Sequence, residues 1–221
     1  MTPRIVIGTV HPDLIDAQFC RCLTATLEED LQGYLPARGR VLMARAPAGM
    51  LHVARNDVVQ QFLRHPFQPM YLVFIDTDMA WTPDQVWALV ETARTHDLPS
   101  VNGLAVMQNG VDPASTMPVL YDYDFQPVAP VEPVQRVFCA GSAFMLIARG
   151  ALERVGQAYG WPAPWFDYGQ RRGKLVTEEV IFAQRCWELG IPIHVDTRIC
   201  VDHRKLHPFR ATVPERLGAA V

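Results

Sequence analysis

The stretch YLVFIDTDMAW, residues 71–81, runs five strand-type apolar residues into two aspartates one residue apart. An unbroken apolar run of that length reads as a strand buried on both faces, as in a parallel sheet covered by helices. The segment WTPDQVWALVETARTHD (81–97) then reads as a helix. Thr82 is its cap, Pro83 sits in the first turn, and Gln85 completes a capping box. Val86, Leu89, Val90 and Ala93 form its apolar stripe. In an open α/β sheet, ligands bind outside the carboxyl ends of the strands, and Asp76 and Asp78 fall at such an end. Read as extended chain, residues i and i+2 point the same way. Two converging carboxylates repel unless a cation lies between them. Such hard oxygen ligands suit Mg²⁺ or Mn²⁺, which also bind substrate phosphates. The expectation is a divalent metal site for a phosphate-bearing ligand. The alternative, that both aspartates serve only the turn, leaves them little to do, because Thr82 already caps the helix.

Outward from this stretch the pattern is β-α-β. RIVIGTV (4–10) is a short apolar strand, and Asp13 is placed to cap a helix running to about Leu31. A short strand fits 41–44, a helix closed by Pro66 fits 51–65, and LPSVNGLAV (98–106) is the next strand. The second half is rich in proline, with short strands near 118–123, 134–139 and 143–148 that suggest antiparallel pairing at one end of the sheet. A helix near 150–158, an aromatic- and arginine-rich loop at 160–174, a helix at 177–190 between Thr177 and Gly190, and a strand IPIHVDT follow. The fold class expected is α/β, a mostly parallel Rossmann-like sheet flanked by helices. A single domain over residues 1–221 is expected, with a change of pattern after residue 106.

At 221 residues, about half hydrophobic, the chain can bury one substantial core. A formal charge of −3 gives no general attraction to nucleic acid, so a nucleic-acid partner is not expected. The five cysteines follow neither a disulfide framework nor a CxxC zinc pattern and are expected as free buried thiols. No signal-like leader and no apolar run of about 18 residues occurs, so a soluble cytoplasmic protein without a transmembrane segment is expected.

VFIDTDMAWTPDQV resembles the DxD region of family-2-like nucleotide-sugar glycosyltransferases of the GT-A fold. ARNDVVQQFL (54–63) resembles the helix that precedes that strand. FCAGSAFMLIARGALERV, then PWF, then TEEVIFAQRCWELGIPIHVDTRICVDH resemble the later blocks in their order, so the likeness spans roughly residues 50–205. The resemblance implies a metal-dependent transferase that moves one sugar from a UDP- or GDP-linked donor to an acceptor hydroxyl, with residues 1–106 as the nucleotide-binding half and 107–221 as the acceptor and catalytic half. Asp78, Asp76 and His203 would hold Mn²⁺ or Mg²⁺, with Asp202 or His207 as substitutes for His203. Thr9, Arg55, Gly103, Gly141 and Ser142 would line the donor site together with the aspartates.

Transfer to a hydroxyl needs a base for the acceptor proton. The acidic pair opening the helix at 178 is the candidate, with Glu179 as base and Glu178 in support. The family has Glu followed by Asp there, so the second acid of this chain reaches one methylene further. A carboxylate in a first helical turn is also ordinary helix chemistry. Trp161 and Trp165, with Phe166 and Tyr168, could wall an acceptor site or simply pack the loop. Arg171, Arg172 and Lys174 could close over the diphosphate. The acceptor itself (protein, glycan or lipid-linked sugar) and the stereochemistry stay open, with inversion favoured only because a base is at hand. Two other readings are a GT-A module that binds nucleotide sugar without turnover and a haloacid-dehalogenase-type phosphohydrolase. The second normally places Thr or Val where this chain has Ala80.

Overall fold

The computed structural model describes residues 4–12, 15–30, 33–46, 49–108, 116–162 and 164–204. In chain order the elements are β1 (Ile5–His11), α1 (Ala17–Glu28), β2 (Val41–Arg45), α2 (Leu51–Leu63), β3 (Tyr71–Ile75), β4 (Met79–Ala80) and α3 (Pro83–Thr95). Next come β5 (Ser100–Leu104), β6 (Val106–Gln108), β7 (Thr116–Pro118), β8 (Leu120–Tyr121), β9 (Val134–Val137), β10 (Cys139–Ala140) and β11 (Phe144–Ala148). The chain continues through α4 (Arg149–Tyr159), β12 (Gly169–Arg171), β13 (Lys174–Val176), α5 (Glu178–Glu188), β14 (Ile193–Cys200) and β15 (Asp202–His203).

A seven-stranded sheet in the order β2-β1-β3-β11-β5-β14-β9 forms the centre. β1 runs parallel to β2 and β3, and β14 parallel to β5. β11 is antiparallel to both β3 and β5, which therefore share one direction. β9 closes the far edge antiparallel to β14. The expected antiparallel pairing is thus present at one edge, but β11 also enters the middle of the sheet. This has a consequence for the site. The carboxyl ends of β1, β3 and β5 and the amino end of β11 lie at one edge, so residues 141–143 arrive beside Asp76. The Asp76 amide donates to the Ala143 carbonyl at 2.9 Å.

The core lies on both faces of the sheet. Leu72 and Phe74 of β3 pack with Val58 and Phe62 of α2, Leu152 of α4 and Phe182 of α5. Val73 and Ile75 face the other way, toward Phe19 of α1 and Val86, Leu89 and Val90 of α3. Leu72, Val73, Phe74 and Ile75 are all fully buried, and burial of each is worth roughly 1.5–3 kcal/mol. That explains the unbroken apolar run: a strand covered on both sides has no solvent face to alternate with.

The capping box at Thr82 and Gln85 forms as expected, with Pro83 in the first turn. The cap of α1 is Asp16, whose carboxylate accepts from the Gln18 amide at 2.6 Å; Asp13 lies outside the described residues. Gly190 takes the left-handed conformation after α5, at φ +64°. All five cysteines are free; Cys22, Cys139 and Cys186 are buried, while Cys20 and Cys200 are exposed, against the expectation of burial for all. Within 160–174 the chain forms part of a hairpin, β12–β13, where a loop was expected. No described helix is long and apolar enough to cross a membrane.

Candidate donor and metal site

The aspartates at the end of β3 do not continue the strand. Residues 76–79 turn back, with the Met79 amide donating to the Asp76 carbonyl at 3.1 Å. The extended segment expected through the aspartates is therefore replaced by a turn; burial first, and then the charge of Asp78, raise the pKa of Asp76 against the pull of Arg55. Each aspartate has its own partner.

Asp76 is held by Arg55. One guanidinium nitrogen, Nη2, donates to both carboxylate oxygens, at 2.8 and 3.0 Å. Nε of the same arginine donates to Glu178 at 3.3 Å. Arg55 is only 1 % exposed, so its charge is buried with those of its two partners. It lies over the rings of Phe74 and Phe166, at 5.3 and 5.9 Å. Burial alone would lower its pKa; the charges of Asp76 and Glu178 outweigh this and raise it, so the guanidinium stays charged. Its place follows from the fold: α2 begins at the carboxyl edge of the sheet, and Arg55 is on its second turn, facing the core. The next residue, Asn56, exchanges two hydrogen bonds with the backbone of Phe166, at 2.7 and 3.0 Å. The pair Arg55–Asn56 thereby ties the PWF segment and the acidic helix start to the end of β3.

Asp78 meets His203. β15 pairs antiparallel with β4, Asp202 opposite Ala80 and His203 opposite Met79. This two-residue clip brings Nε2 of His203 to 3.0 Å from Oδ2 of Asp78. Nδ1 of the same ring lies 3.2 Å from the Val106 carbonyl. A carbonyl only accepts, so Nδ1 carries the hydrogen. Nε2 and the carboxylate then face each other across either a second proton or a cation. A separation of roughly 3.0 Å is also that of two adjacent corners of an octahedron with bonds of about 2.1 Å, so the donor set suits a small divalent ion. Of the three expected metal ligands, Asp78 and His203 are brought together, whereas Asp76 is engaged by Arg55. Among the described residues no cluster of three metal-ligating side chains stands ready for an ion. His207 lies outside the described residues, and Asp202 is exposed.

At the acidic pair the two glutamates separate. Glu178 is buried and ion-paired with Arg55. Glu179 is half-buried. Burial and then the neighbouring negative charge of Glu178 raise its pKa above the usual carboxylate range. An acid with a raised pKa and an open side is the better proton acceptor of the two.

The remaining expected residues divide. Thr9 is buried, with a hydroxyl that has no partner among the described residues. Gly103 is required by packing: a Cβ there would come 2.8 Å from the Phe144 ring and 3.1 Å from the Ile199 carbonyl, where β14 shifts register against β5. Gly141 lies against Val119 and accepts from the Asn102 side chain at 2.9 Å, and Ser142 beside it is buried. Trp165 is fully buried and donates its indole N–H to the Leu152 carbonyl, so it packs the core and presents nothing to an acceptor. Trp161 is 56 % exposed and stands against it, ring centroids 5.5 Å apart. Phe166 is buried against Phe182, and Tyr168 is exposed against His52. Sequence reasoning missed Asn102 and His52, and neither had a signal beyond its place in the middle of a strand or at the start of a helix.

Three comparisons bear on this arrangement. No protein-family profile matches the chain, and no curated protein sequence matches it. Among solved structures, GalNAc-T7 crystallised with UDP, GalNAc and Mn²⁺ superposes with a TM-score of 0.64 at 12 % identity, over 94 % of this chain and 45 % of that one. A197 from STIV superposes with a TM-score of 0.57 at 13 % identity, over 96 % of this chain and 99 % of that one. This chain therefore spans less than half of the GalNAc-T7 chain and nearly all of A197. At these identities the likeness is one of fold. The chain has a GT-A-like α/β fold, a largely parallel sheet with short antiparallel additions.

Proposed function

We propose that this protein is a metal-dependent glycosyltransferase that moves a sugar from a nucleoside-diphosphate donor to an acceptor hydroxyl, with inversion. The observation that carries the reading is the pairing of Asp78 with His203 at 3.0 Å on the sheet edge where Glu179 also opens. The presence of UDP and Mn²⁺ in GalNAc-T7, a neighbour in fold, supports it.

In this reading Asp78 and His203 would hold a Mn²⁺ or Mg²⁺ ion. The ion, when bound, stabilises negative charge on the departing diphosphate. Arg55 fixes Asp76 and Glu178, so that Asp76 stays oriented beside the donor rather than free to attack. That clamp counts against the phosphohydrolase reading, which needs an aspartate with a free oxygen as nucleophile. Glu179 takes the acceptor proton as the new bond forms.

The test is thermal unfolding with UDP-, GDP- and dTDP-sugars, each with Mn²⁺ and with EDTA. Donor at about 100 times its dissociation constant adds roughly 2.7 kcal/mol of stability. The reading expects a rise for one nucleotide that needs metal and disappears in His203→Ala. A folded protein that responds to no donor overturns it.

A further inference from the structure

Beside the start of α5 lies a cavity of about 280 Å³ lined by Asp124, Phe125, Gln126, Arg171, Arg172, Lys174, Leu175 and Val176. Its last wall residue, Val176, is two positions before Glu178 in the chain; neither Glu178 nor Glu179 lines it. One wall is the β12–β13 hairpin. Arg172 and Gly173 occupy its turn with φ of +51° and +76°. Asn, Asp or Gly is the usual choice at the first of those positions, because a side chain there is strained. The opposite wall is the turn at 122–126, where Phe125 has φ +63°.

The charge of this cavity sets it apart from the chain as a whole, which is net negative. Three cations meet one carboxylate, Asp124, and that carboxylate is already paired with Arg172. Arg171 lies over the rings of Tyr123 and Phe138, at 4.4 and 4.2 Å, and donates to the Tyr123 carbonyl. Its other terminal nitrogen, Nη1, is buried and has no partner among the described residues. Neither Arg171 nor Lys174 is ion-paired with a carboxylate among the described residues. Arg171 is thus a fixed positive charge at the back of the cavity, and Arg172 and Lys174 are exposed cations at its mouth. A partly buried, unneutralised guanidinium is costly unless an anion completes it. Its clamping between two rings also makes it a poor choice for a swinging lid. Phe125, stacked on Tyr121 at 4.5 Å, adds an aromatic surface of the kind a sugar ring packs against. The volume lies just below the usual range of about 300–1,000 Å³ for ligand pockets and suits one ring.

We propose that this cavity is the acceptor subsite for a sugar bearing a negative group, carboxylate or phosphate, held by Arg172 and Lys174 in the field of Arg171. The inference rests on the glycosyltransferase reading for the word acceptor, and on the cavity alone for the anion.

The test is amide chemical-shift mapping on the isotopically labelled full chain with glucose 6-phosphate, glucuronate, glucose, inorganic phosphate and UDP with Mn²⁺. The expected result is that the two acidic sugars shift amides of 124–126 and 171–176, glucose does not, and inorganic phosphate binds more weakly than glucose 6-phosphate. The relative response to the two acidic sugars identifies the group preferred. The exposed double variant Arg172→Ala/Lys174→Ala should bind the acidic sugars about tenfold more weakly or worse, with UDP unaffected. Shifts in the hairpin with UDP, lost in that variant, would make the hairpin a donor device and overturn the proposal. Equal binding of phosphate and sugar phosphate, equal binding of glucose, or no response to any probe would each overturn it too. Acidic sugars bound at the hairpin with no UDP response at Asp78 and His203 would uphold the anion site and overturn the glycosyltransferase reading.

Discussion

Arg55 gives one nitrogen to both oxygens of Asp76 while its Nε holds Glu178, so a single buried cation joins the turn after β3 to the first turn of α5. Removing the cation alone leaves two acids without their counter-charge. Arg55→Met should therefore cost about 3–5 kcal/mol, the range for breaking a buried ion pair from one side. Urea unfolding measures this, and adding Asp76→Asn and Glu178→Gln to the same chain should restore part of the loss. A loss from Arg55→Met below 1 kcal/mol would show that the clamp is not what holds these elements.

His203 and Asp78 should behave as one unit toward metal and donor. Alanine at either position is expected to abolish the Mn²⁺-dependent part of donor stabilisation, and the double variant should lose no more than either alone. Mn²⁺ binding followed calorimetrically in the presence of the nucleotide checks this directly. Additive losses would place the ion elsewhere.

Glu179 and Glu178 should part in kinetics. In the proposed mechanism Glu179→Gln removes the proton acceptor and should lower kcat by about 10²–10⁴-fold with little change in donor affinity. Glu178→Gln acts through Arg55 and should show mainly as lost stability. The wild-type rate needs the ionised Glu179, so it should rise with pH through a pKa above the usual carboxylate range, where burial and the Glu178 charge hold it. The same shift has an opposite sign for stability. The folded chain binds this proton more tightly than the unfolded one, so Glu179 favours folding at low pH. That contribution fades as pH rises from the unfolded toward the folded pKa.

Asp196 supplies the contrary case. It is 1 % exposed, accepts from Thr92 at 2.7 Å and from Arg198 at 2.7 and 2.9 Å. Burial pushes its pKa up, but these bonds win and it is lowered. Its stabilisation is therefore complete above the unfolded value of about 3.9 and is lost as pH falls through the lower folded value. Asp196→Asn should cost about 1–3 kcal/mol at neutral pH, the penalty for disturbing a buried charged acceptor, and should flatten the acid limb of the stability curve. Denaturant titrations between pH 2 and 7 test both.

Gly103→Ala should destabilise by about 1–3 kcal/mol, because the new methyl meets the Phe144 ring and the Ile199 carbonyl in a packed sheet centre. Thermal unfolding decides it; an unchanged midpoint would mean that the β14 register shift absorbs the methyl.

What was legible in the sequence was local. The run from Tyr71 to Ile75, the Thr82 capping box and Gly190 each carry their structure in a few adjacent residues. Of the residues singled out by the order of motifs, Arg55, Asp76 and Glu178 come together at one sheet edge. What was not legible depended on partners far along the chain. Nothing near residues 144–148 says that they enter between β3 and β5, since an apolar strand suits any central position. A strand was extrapolated through Asp76 and Asp78, and a turn was formed instead. Arg55 was expected to line the donor site, but nothing near it in the chain says that Asp76 and Glu178 are its partners. Trp161 and Trp165 have the same chemistry, and only the packing against Leu152 assigns one to the core. The β12–β13 hairpin escaped notice because its turn uses Arg-Gly where Asn-Gly would have announced it.

The intrusion of β11 between β3 and β5 bears on how such a molecule can be divided. The strand that binds the first half together is supplied by the second, and the same strand places residues 141–143 against Asp76. A polypeptide ending at residue 106 would leave β3 and β5 with an open seam and bare edges, prone to pair with other chains. The two halves are therefore poor cassettes. Transplanting residues 1–106 of this molecule onto a foreign second half would have to carry residues 144–148 with it, or provide a substitute strand of the same polarity and register.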